Sequence, residues 1–354
     1  MAVSGGADSL LALALLREAG REVLALHGRF FDDALDDAGL RRLQSACNVL
    51  GADFAVADLR QAFQRRVVEP FIRAYARGLT PNPCAACNRG IKFGLLLDAA
   101  LDQGAQTLAT GHYVRAGRDD AGRPLLLRGA DPAKDQSYFL ALVPRKRLAR
   151  AVFPLGERFK RDTLGELAKR GLDPPLPRPS REICFIPHDD YRRFLQDSGA
   201  DLSGPGPILL ENGTVVGRHH GFWRHTPGQR RGLGVAWSEP LYVLRLDPAR
   251  NAVVVGPRDR LAVRECAARD VNVLVDPGLW PEELSARIRY RQRARPARAR
   301  LQGETLRIRF QEPGDPPAPG QLAVLQDGDV ILAGGVVASA AEAGGALAKW
   351  PKLD

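Results

Sequence analysis

The feature that most constrains this chain is Ser4-Gly5-Gly6-Ala7-Asp8-Ser9, followed directly by the apolar run Leu10-Leu11-Ala12-Leu13-Ala14-Leu15-Leu16. Two glycines ahead of a helix-forming run predict a tight turn that opens a helix. Glycine lets the backbone come close to a ligand, and the first N–H groups of a helix have no partner within it. Such a terminus attracts anions, phosphate above all. The hydroxyls of Ser4 and Ser9 add donors. Asp8 is the odd member, because a carboxylate beside phosphate is repulsive unless a cation such as Mg²⁺ stands between them. The loop has no Lys of the G-x-x-x-x-G-K-[ST] kind, so it is not an ordinary γ-phosphate transferase site. On six residues alone, a capped surface turn before a core helix remains the competing reading.

What surrounds the loop predicts an α/β domain. Only Met1-Ala2-Val3 precede it, where a buried parallel strand runs four to eight residues, so the first strand is expected to be very short or clipped. A helix over residues 9–19 is expected to end at Gly20. Strands follow at residues 23–28, 53–59 and 107–112, and helices at 40–50, 60–77 and 91–103, with Pro70 kinking or dividing the second. Cys47 falls on the apolar stripe of its helix and reads as a small core residue. Strands alternating with helices mean a parallel sheet covered on both faces, with ligands bound beyond the carboxyl ends of the strands. Gly28 and Gly111-His112 stand at two such ends and can converge on the loop.

After a Pro-rich connector near residues 174–179 the pattern changes to short alternating runs with Gly and Pro turns. We therefore expect a parallel-sheet nucleotide-binding domain over residues 1–195, a small β domain over 200–265 and a β-barrel over 268–340, with a break near 266–270 and a peripheral tail from 340. The chain of 354 residues is long enough for three such units, and 45% hydrophobic content suits buried cores. No apolar run reaches the length of a membrane span, and no basic flank precedes an apolar N-terminal segment. A cytoplasmic protein with no membrane partner is expected. The net charge of +10 favours a polyanionic partner. Arg287, Arg289, Arg291, Arg293 and Arg295 alternate with other residues, which predicts a strand with one arginine face suited to a phosphate backbone. Residues 218–225 mix His219, His220 and His225 with aromatics and read as RNA contact or plain turn structure.

Five cysteines, with Cys84 and Cys87 three apart, point to thiol chemistry or a metal rather than a disulfide framework. They lie in Thr80-Pro81-Asn82-Pro83-Cys84-Ala85-Ala86-Cys87-Asn88, where prolines fix the entry to a helix whose N-terminus is expected to lower the thiol pKa. A third thiol, Cys184, sits in Ser180-Arg181-Glu182-Ile183-Cys184-Phe185-Ile186. Three accounts compete. Zinc could be held by Cys84, Cys87, Cys184 and His112. A dithiol or persulfide relay could join Cys87 and Cys184. A [4Fe-4S] cluster on Cys84, Cys87 and Cys184 would leave one iron open.

Six co-linear motifs then make the chain resemble the bacterial tRNA-specific 2-thiouridylase family, whose nucleotide loop is of the type that splits ATP into AMP and pyrophosphate. They are the Ser4 to Ser9 loop, the stretch from Thr80 to Phe93, Ala109-Thr110-Gly111-His112-Tyr113, Lys134-Asp135-Gln136-Ser137-Tyr138-Phe139-Leu140, Ile183-Cys184-Phe185-Ile186 and Thr226-Pro227-Gly228-Gln229-Arg230-Arg231-Gly232-Leu233-Gly234. The resemblance implies an adenine nucleotide α-hydrolase-like fold and ATP-dependent transfer of sulfur to C2 of a wobble uridine through an adenylate of the C2 oxygen. It implies ATP contacts from Ala2, Val3, Ser4, Gly5, Gly6, Ala7, Asp8, Ser9, Gly28 and Gly111. It makes Cys87 the nucleophile and Cys184 the persulfide carrier. It puts Asn82, Pro83 and Cys84 by the target base, and His112, Lys134, Asp135, Gln136, Arg289, Tyr290 and Gln321 on tRNA. ATP, Mg²⁺, tRNA and a sulfur donor, either a persulfide carrier protein or inorganic sulfide, are the implied cofactors and partners. Many family members have Asp where this chain has Cys84; those are associated with the persulfide route, and members with Cys there with a [4Fe-4S] cluster. Two rival readings are an amide-forming ligase that adenylates its substrate and an RNA-binding protein with a decayed loop. Neither accounts for the intact loop together with three cysteines.

Overall fold

The computed structural model describes residues 1–31, 36–175 and 182–338. Most of the expected connector, Ser180 and Arg181, and the tail lie outside the described residues.

The three residues ahead of the loop join the sheet through a single parallel β-bridge from Ala2 to Leu26. Val3 donates its N–H to Leu26 O and Leu26 to Met1 O on one side, while Ala2 donates to Ala109 O on the other. Bonding on both edges lets so short a segment hold the centre of a parallel layer. On one side lie Leu24–Arg29 and Asp53–Asp58, paired in parallel from Leu24 opposite Asp53 to Arg29 opposite Asp58. On the other lie Leu108–Ala109 and Ala151–Val152, also parallel. The loop therefore leaves the middle of the layer at its carboxyl edge. The helix it opens, Ala7–Glu18, buries Ser9 through Ala14 without a break. A helix apolar on every side must be enclosed, and this one packs against both the sheet and the helix Thr163–Ala168. Gly20, at φ 69°, closes it as expected.

Two helices differ from the sequence expectation, both through π-helical turns. The segment from residue 60 runs as Arg60–Phe63, a π-turn Gln64–Val68, then Glu69–Ala76. The wide turn comes just before Pro70, which lacks an N–H, and spares the proline a clash with the preceding turn. The helix expected from residue 91 instead starts at Pro83, capped by the Asn82 side chain, which accepts from Ala85 N–H at 3.1 Å. It continues as a π-helix over Asn88–Leu96 and ends at Asp102.

The middle unit is a four-stranded sheet in the order Val215–His219, Gly206–Leu210, Ala252–Gly256, Tyr242–Asp247. Its core of Phe222, Trp223, Val243 and Val253 is shared with Phe71 and Tyr75 of the first domain. The last unit is a closed barrel of six strands. Its first strand, Val263–Val273, pairs with Thr305–Gly314 along its first half and Val330–Val337 along its second. Asp270, at φ 51°, sits where the register against Val330–Val337 shifts. This strand runs straight through the break expected near residues 266–270. A hairpin of the first domain, Val114–Arg118 with Pro124–Arg128, continues the barrel sheet through Leu127 opposite Val330. No helix among the described residues is long and apolar enough to cross a membrane.

The arginine strand does not exist. Leu284–Arg287 ends as a strand at Arg287 and the next begins at Arg295. Four of the five arginines are drawn in different directions. Arg287 is buried against Asp135, at 3.1 Å. Arg289 donates to Pro227 O and Pro316 O. Arg291 faces Glu182. Arg295 lies over the Phe310 ring, 4.0 Å from its centroid. Period two in sequence was here a turn crowded with separate anchors.

Candidate active site

The nucleotide loop is shaped by its own serines. Ser9 Oγ donates to Gly6 O at 2.9 Å and accepts from Ser4 N–H at 3.1 Å, while Gly5 takes φ 81°. Beneath the loop, buried His27 donates from Nδ1 to Val3 O at 2.9 Å, and burial holds its pKa below the usual imidazole value. Gly111 meets the loop from the next strand end. A Cβ there would lie 2.9 Å from the Asp8 carbonyl carbon and 3.0 Å from Ser9 N, backbone atoms that cannot swing aside. Gly111→Ala is therefore expected to weaken nucleotide binding about tenfold or more, on the scale of overpacking strain. Titration calorimetry with ATP checks this, with tRNA affinity as the control.

Asp8 is where sequence reasoning stopped short. Its Oδ1 accepts from Tyr113 OH at 2.8 Å and from Lys160 Nζ at 2.5 Å. Tyr113 OH is also 2.6 Å from Thr163 Oγ1. Lys160 lies 152 residues away in sequence, on the segment after the strand Ala151–Val152. The rule that ligands gather beyond carboxyl strand ends could have found it, had that two-residue strand been recognised.

The thiols come together around the start of the helix at Pro83. Cys87 is buried among Phe63, Val67, Val68 and Ile91. Cys84 is half-buried and Cys184 exposed. Phe185 anchors the Cys184 segment, edge-on to Phe63, Phe71 and Phe194 at centroid distances of 5.7, 5.4 and 5.4 Å. The expected lowering of thiol pKa is overturned. Burial pushes Cys87 up to about 12, with Lys92 only partly offsetting it. Desolvation raises Cys84 too. It also raises Cys184, exposed though that residue is, helped by the neighbouring Cys84. Removing water from a thiolate outweighs the helix terminus here.

No group of three or more His, Cys, Asp or Glu among the described residues is placed to hold a metal ion. Zinc also loses its fourth ligand. His112 is buried, with Nδ1 2.8 Å from Thr110 Oγ1 and Nε2 3.4 Å from Lys92 Nζ. Burial, then Lys92, holds its pKa well down, so neutral His112 accepts from Lys92 and donates to Thr110.

The residues expected on tRNA divide into two groups. Lys134 is exposed, and Tyr290 lies against Phe139 at 4.3 Å between centroids. With Arg128, Arg287, Arg291 and Arg293, Tyr290 lines a cavity of about 590 Å³ between the first domain and the barrel. The others hold the site together. Asp135 is buried, accepting from Arg287, Ser137 and Gly129, and Gln136 Oε1 accepts from Tyr113 N–H. Gln321 Nε2 donates to Thr80 O at 3.1 Å, and Thr80 N–H donates to Pro319 O, so the barrel grips the segment that leads to Asn82 and Pro83. Arg289 ties that same side to the middle domain through Pro227 O. The carboxylate of Asp135 and both ring nitrogens of His112 are thus taken by the protein itself. His219, bonded to Asn251 O and Gly221 N–H, is turn structure.

Three family models match the chain in succession. A tRNA methyl transferase HUP domain covers residues 1–188, a tRNA methyl transferase PRC-barrel domain 192–257, and an aminomethyltransferase beta-barrel domain 263–337. Among curated relatives, a protein of Nitratidesulfovibrio vulgaris (strain Miyazaki F) named tRNA-specific 2-thiouridylase MnmA is 52% identical over 343 residues, 95% of this chain and 98% of its own. One of the same name from Oleidesulfovibrio alaskensis is 52% identical over 96% of this chain and 98% of its own. Another from Pelobacter propionicus is 43% identical over 96% and 97%.

Proposed function

Since the chain belongs to the tRNA-specific 2-thiouridylase family, we propose that it thiolates the wobble uridine of tRNA at C2, with ATP as the activating substrate. The observation that carries the reading is the meeting of two sites in one fold: a nucleotide loop at the carboxyl edge of the sheet, and, beyond His112 and Lys92, a set of three thiols.

The uridine C2 carbonyl is a poor electrophile. Its oxygen attacks the α-phosphorus of ATP; the α–β P–O bond breaks and pyrophosphate leaves. Residues 2–9 with Gly28 and Gly111 hold the nucleotide. Mg²⁺ arriving with ATP suits a loop with one carboxylate, because that ion binds through one or two carboxylates plus phosphates. Cys184, exposed, receives sulfur from a persulfide donor or from sulfide with an oxidant. Its terminal sulfur attacks C2, and AMP departs with the C2–O electron pair. Cys87 thiolate then attacks Cys184 Sγ, releasing 2-thiouridine and leaving a Cys87–Cys184 disulfide, which an external dithiol reduces. Lys92, the cation acting on all three thiols, favours the Cys87 thiolate that burial opposes. Asn82, Pro83 and Cys84 stand at the base. Lys134 and Tyr290 meet tRNA, while His112, Asp135, Gln136, Arg289 and Gln321 position what does. The units at 1–195, 200–265 and 268–340 then divide the work into chemistry, bridging and tRNA grip. A tRNA substrate puts the reaction in the cytoplasm. Cys84, Cys87 and Cys184 are the residues that would hold a [4Fe-4S] cluster, whose open iron would supply a binding place for sulfide.

The test is incubation with tRNA, ATP and a persulfide donor. One pyrophosphate and one AMP are expected per 2-thiouridine. ATP cleavage without thiolation supports the ligase reading instead, and tRNA binding without pyrophosphate release the decayed-loop reading. Protein purified without oxygen is expected to hold no stoichiometric iron. Stoichiometric iron and sulfide that vanish in Cys84→Ala would replace the relay with a cluster.

A further inference from the structure

The nucleotide loop has no lysine of its own, and the fold brings one to it. We infer that Lys160 is the phosphate-binding cation of this loop, held ready by Asp8, and that it receives the departing pyrophosphate. The inference rests on the adenylating reading above and deepens it.

The pair is not there for stability. Lys160 and Asp8 side chains are 35% and 36% exposed, and half-exposed ion pairs contribute little to folding. Yet the surroundings fix the lysine with care. Asp131 accepts the Lys160 N–H at 2.9 Å through Oδ2 and the Ala133 N–H at 3.0 Å through Oδ1. Tyr113 OH holds the same Asp8 oxygen, and Lys160 Nζ lies 6.0 Å from the Tyr113 ring centroid. Arg158 and Arg161, on either side, pair with Glu166 and Asp162, so of these three basic residues Lys160 is the one turned to the loop. Its segment follows a parallel strand at the carboxyl edge, the edge from which the loop and the Gly111 turn also leave.

Asp8 sits in the first turn of the helix whose free N–H groups receive phosphate. Phosphate arriving there competes with Asp8 for the ammonium, and Lys160 needs only to turn from one oxyanion to another. Tyr113 still donates to the Asp8 carboxylate. When the α–β P–O bond breaks, the electron pair stays on pyrophosphate, and Lys160 donates hydrogen bonds to that new charge. AMP lacks the β- and γ-phosphates that carry this charge, so the contact discriminates between the two products.

The experiment is calorimetric titration of the full chain with ATP, inorganic pyrophosphate and AMP in turn. K160Q is expected to weaken pyrophosphate and ATP by about tenfold or more, the scale of one charged hydrogen bond, and to leave AMP within about twofold. Unchanged pyrophosphate affinity, or equal loss of AMP and pyrophosphate, overturns the inference. A second reading needs no variant. In the wild type, pyrophosphate but not AMP is expected to shield Lys160 from acetylation, followed by peptide mass spectrometry. Labelling unaffected by pyrophosphate overturns it too. Wild-type protein that binds none of the three ligands overturns the adenylating reading itself, which separates the two failures.

Discussion

Cys87→Ala is expected to abolish 2-thiouridine formation, by on the order of a thousandfold or more, the size of effect seen when a covalent nucleophile is removed. The fold should survive. The change removes one sulfur from a cluster of Phe63, Val67, Val68 and Ile91 that keeps its other members, a loss of about 1 kcal/mol by analogy with small core truncations. ATP–pyrophosphate exchange and tRNA affinity are expected to stay close to wild type, because Cys87 acts after activation. The variant should also stop at a recognisable point. Without Cys87, the bond between Cys184 sulfur and the sulfur on C2 has nothing to cleave it, and a covalent protein–tRNA species should accumulate that dithiothreitol releases. Denaturing electrophoresis and nucleoside mass spectrometry read both outcomes. Wild-type levels of 2-thiouridine would end the assignment. Cys184→Ala is expected to be as inactive, with no trapped species.

Arg287→Met is expected to be the most destabilising single change on the tRNA side. Arg287 and Asp135 have side chains only 7% and 2% exposed. Removing the arginine leaves a buried carboxylate with Arg128 and neutral donors. Breaking such a pair costs about 3–5 kcal/mol, which predicts a fall in Tm of roughly 10 °C for a unit of this size. The effect should depend on pH in a defined sense. Burial raises the Asp135 pKa, but hydrogen bonds from Ser137 and the charge of Arg287 outweigh it, and the net position is below the usual carboxylate value. A depressed folded pKa gives stability that is present above the unfolded value and lost as pH falls through the folded one. The gap in Tm between wild type and variant should therefore be full at pH 7 and shrink below about pH 4. Asp135→Asn in the Arg287→Met background should recover part of the loss. Calorimetry showing no change of Tm at pH 7 would refute the account.

Features set by local pattern could be read from the sequence. The loop at residues 4–9, the alternation that follows it and the switch to short β runs are all matters of neighbours in the chain, and the structure keeps them. What could not be read depends on distant partners. Residues 1–3 join the sheet only because Leu26 and Ala109 flank them. The arginines at 287–295 have strand spacing, but their partners at Asp135, Pro227, Glu182 and Phe310 pull them apart. The pKa of Cys87 follows from aromatic and aliphatic neighbours contributed by another helix. Lys160 has no mark in its own stretch of sequence; only the contact with Asp8 gives it meaning.

The hairpin that extends the barrel sheet bears on how this protein can be cut. Tyr138 OH also donates to Leu322 O across the same boundary. A fragment ending after the middle domain would bare the edge of Pro124–Arg128 where Leu127 meets Val330, leaving that strand paired only with Val114–Arg118. Uncovered edges of that kind seek other chains. The barrel thus serves as the first domain's own cover, and a gene trimmed to its catalytic portion would yield inclusion bodies before it yielded an enzyme.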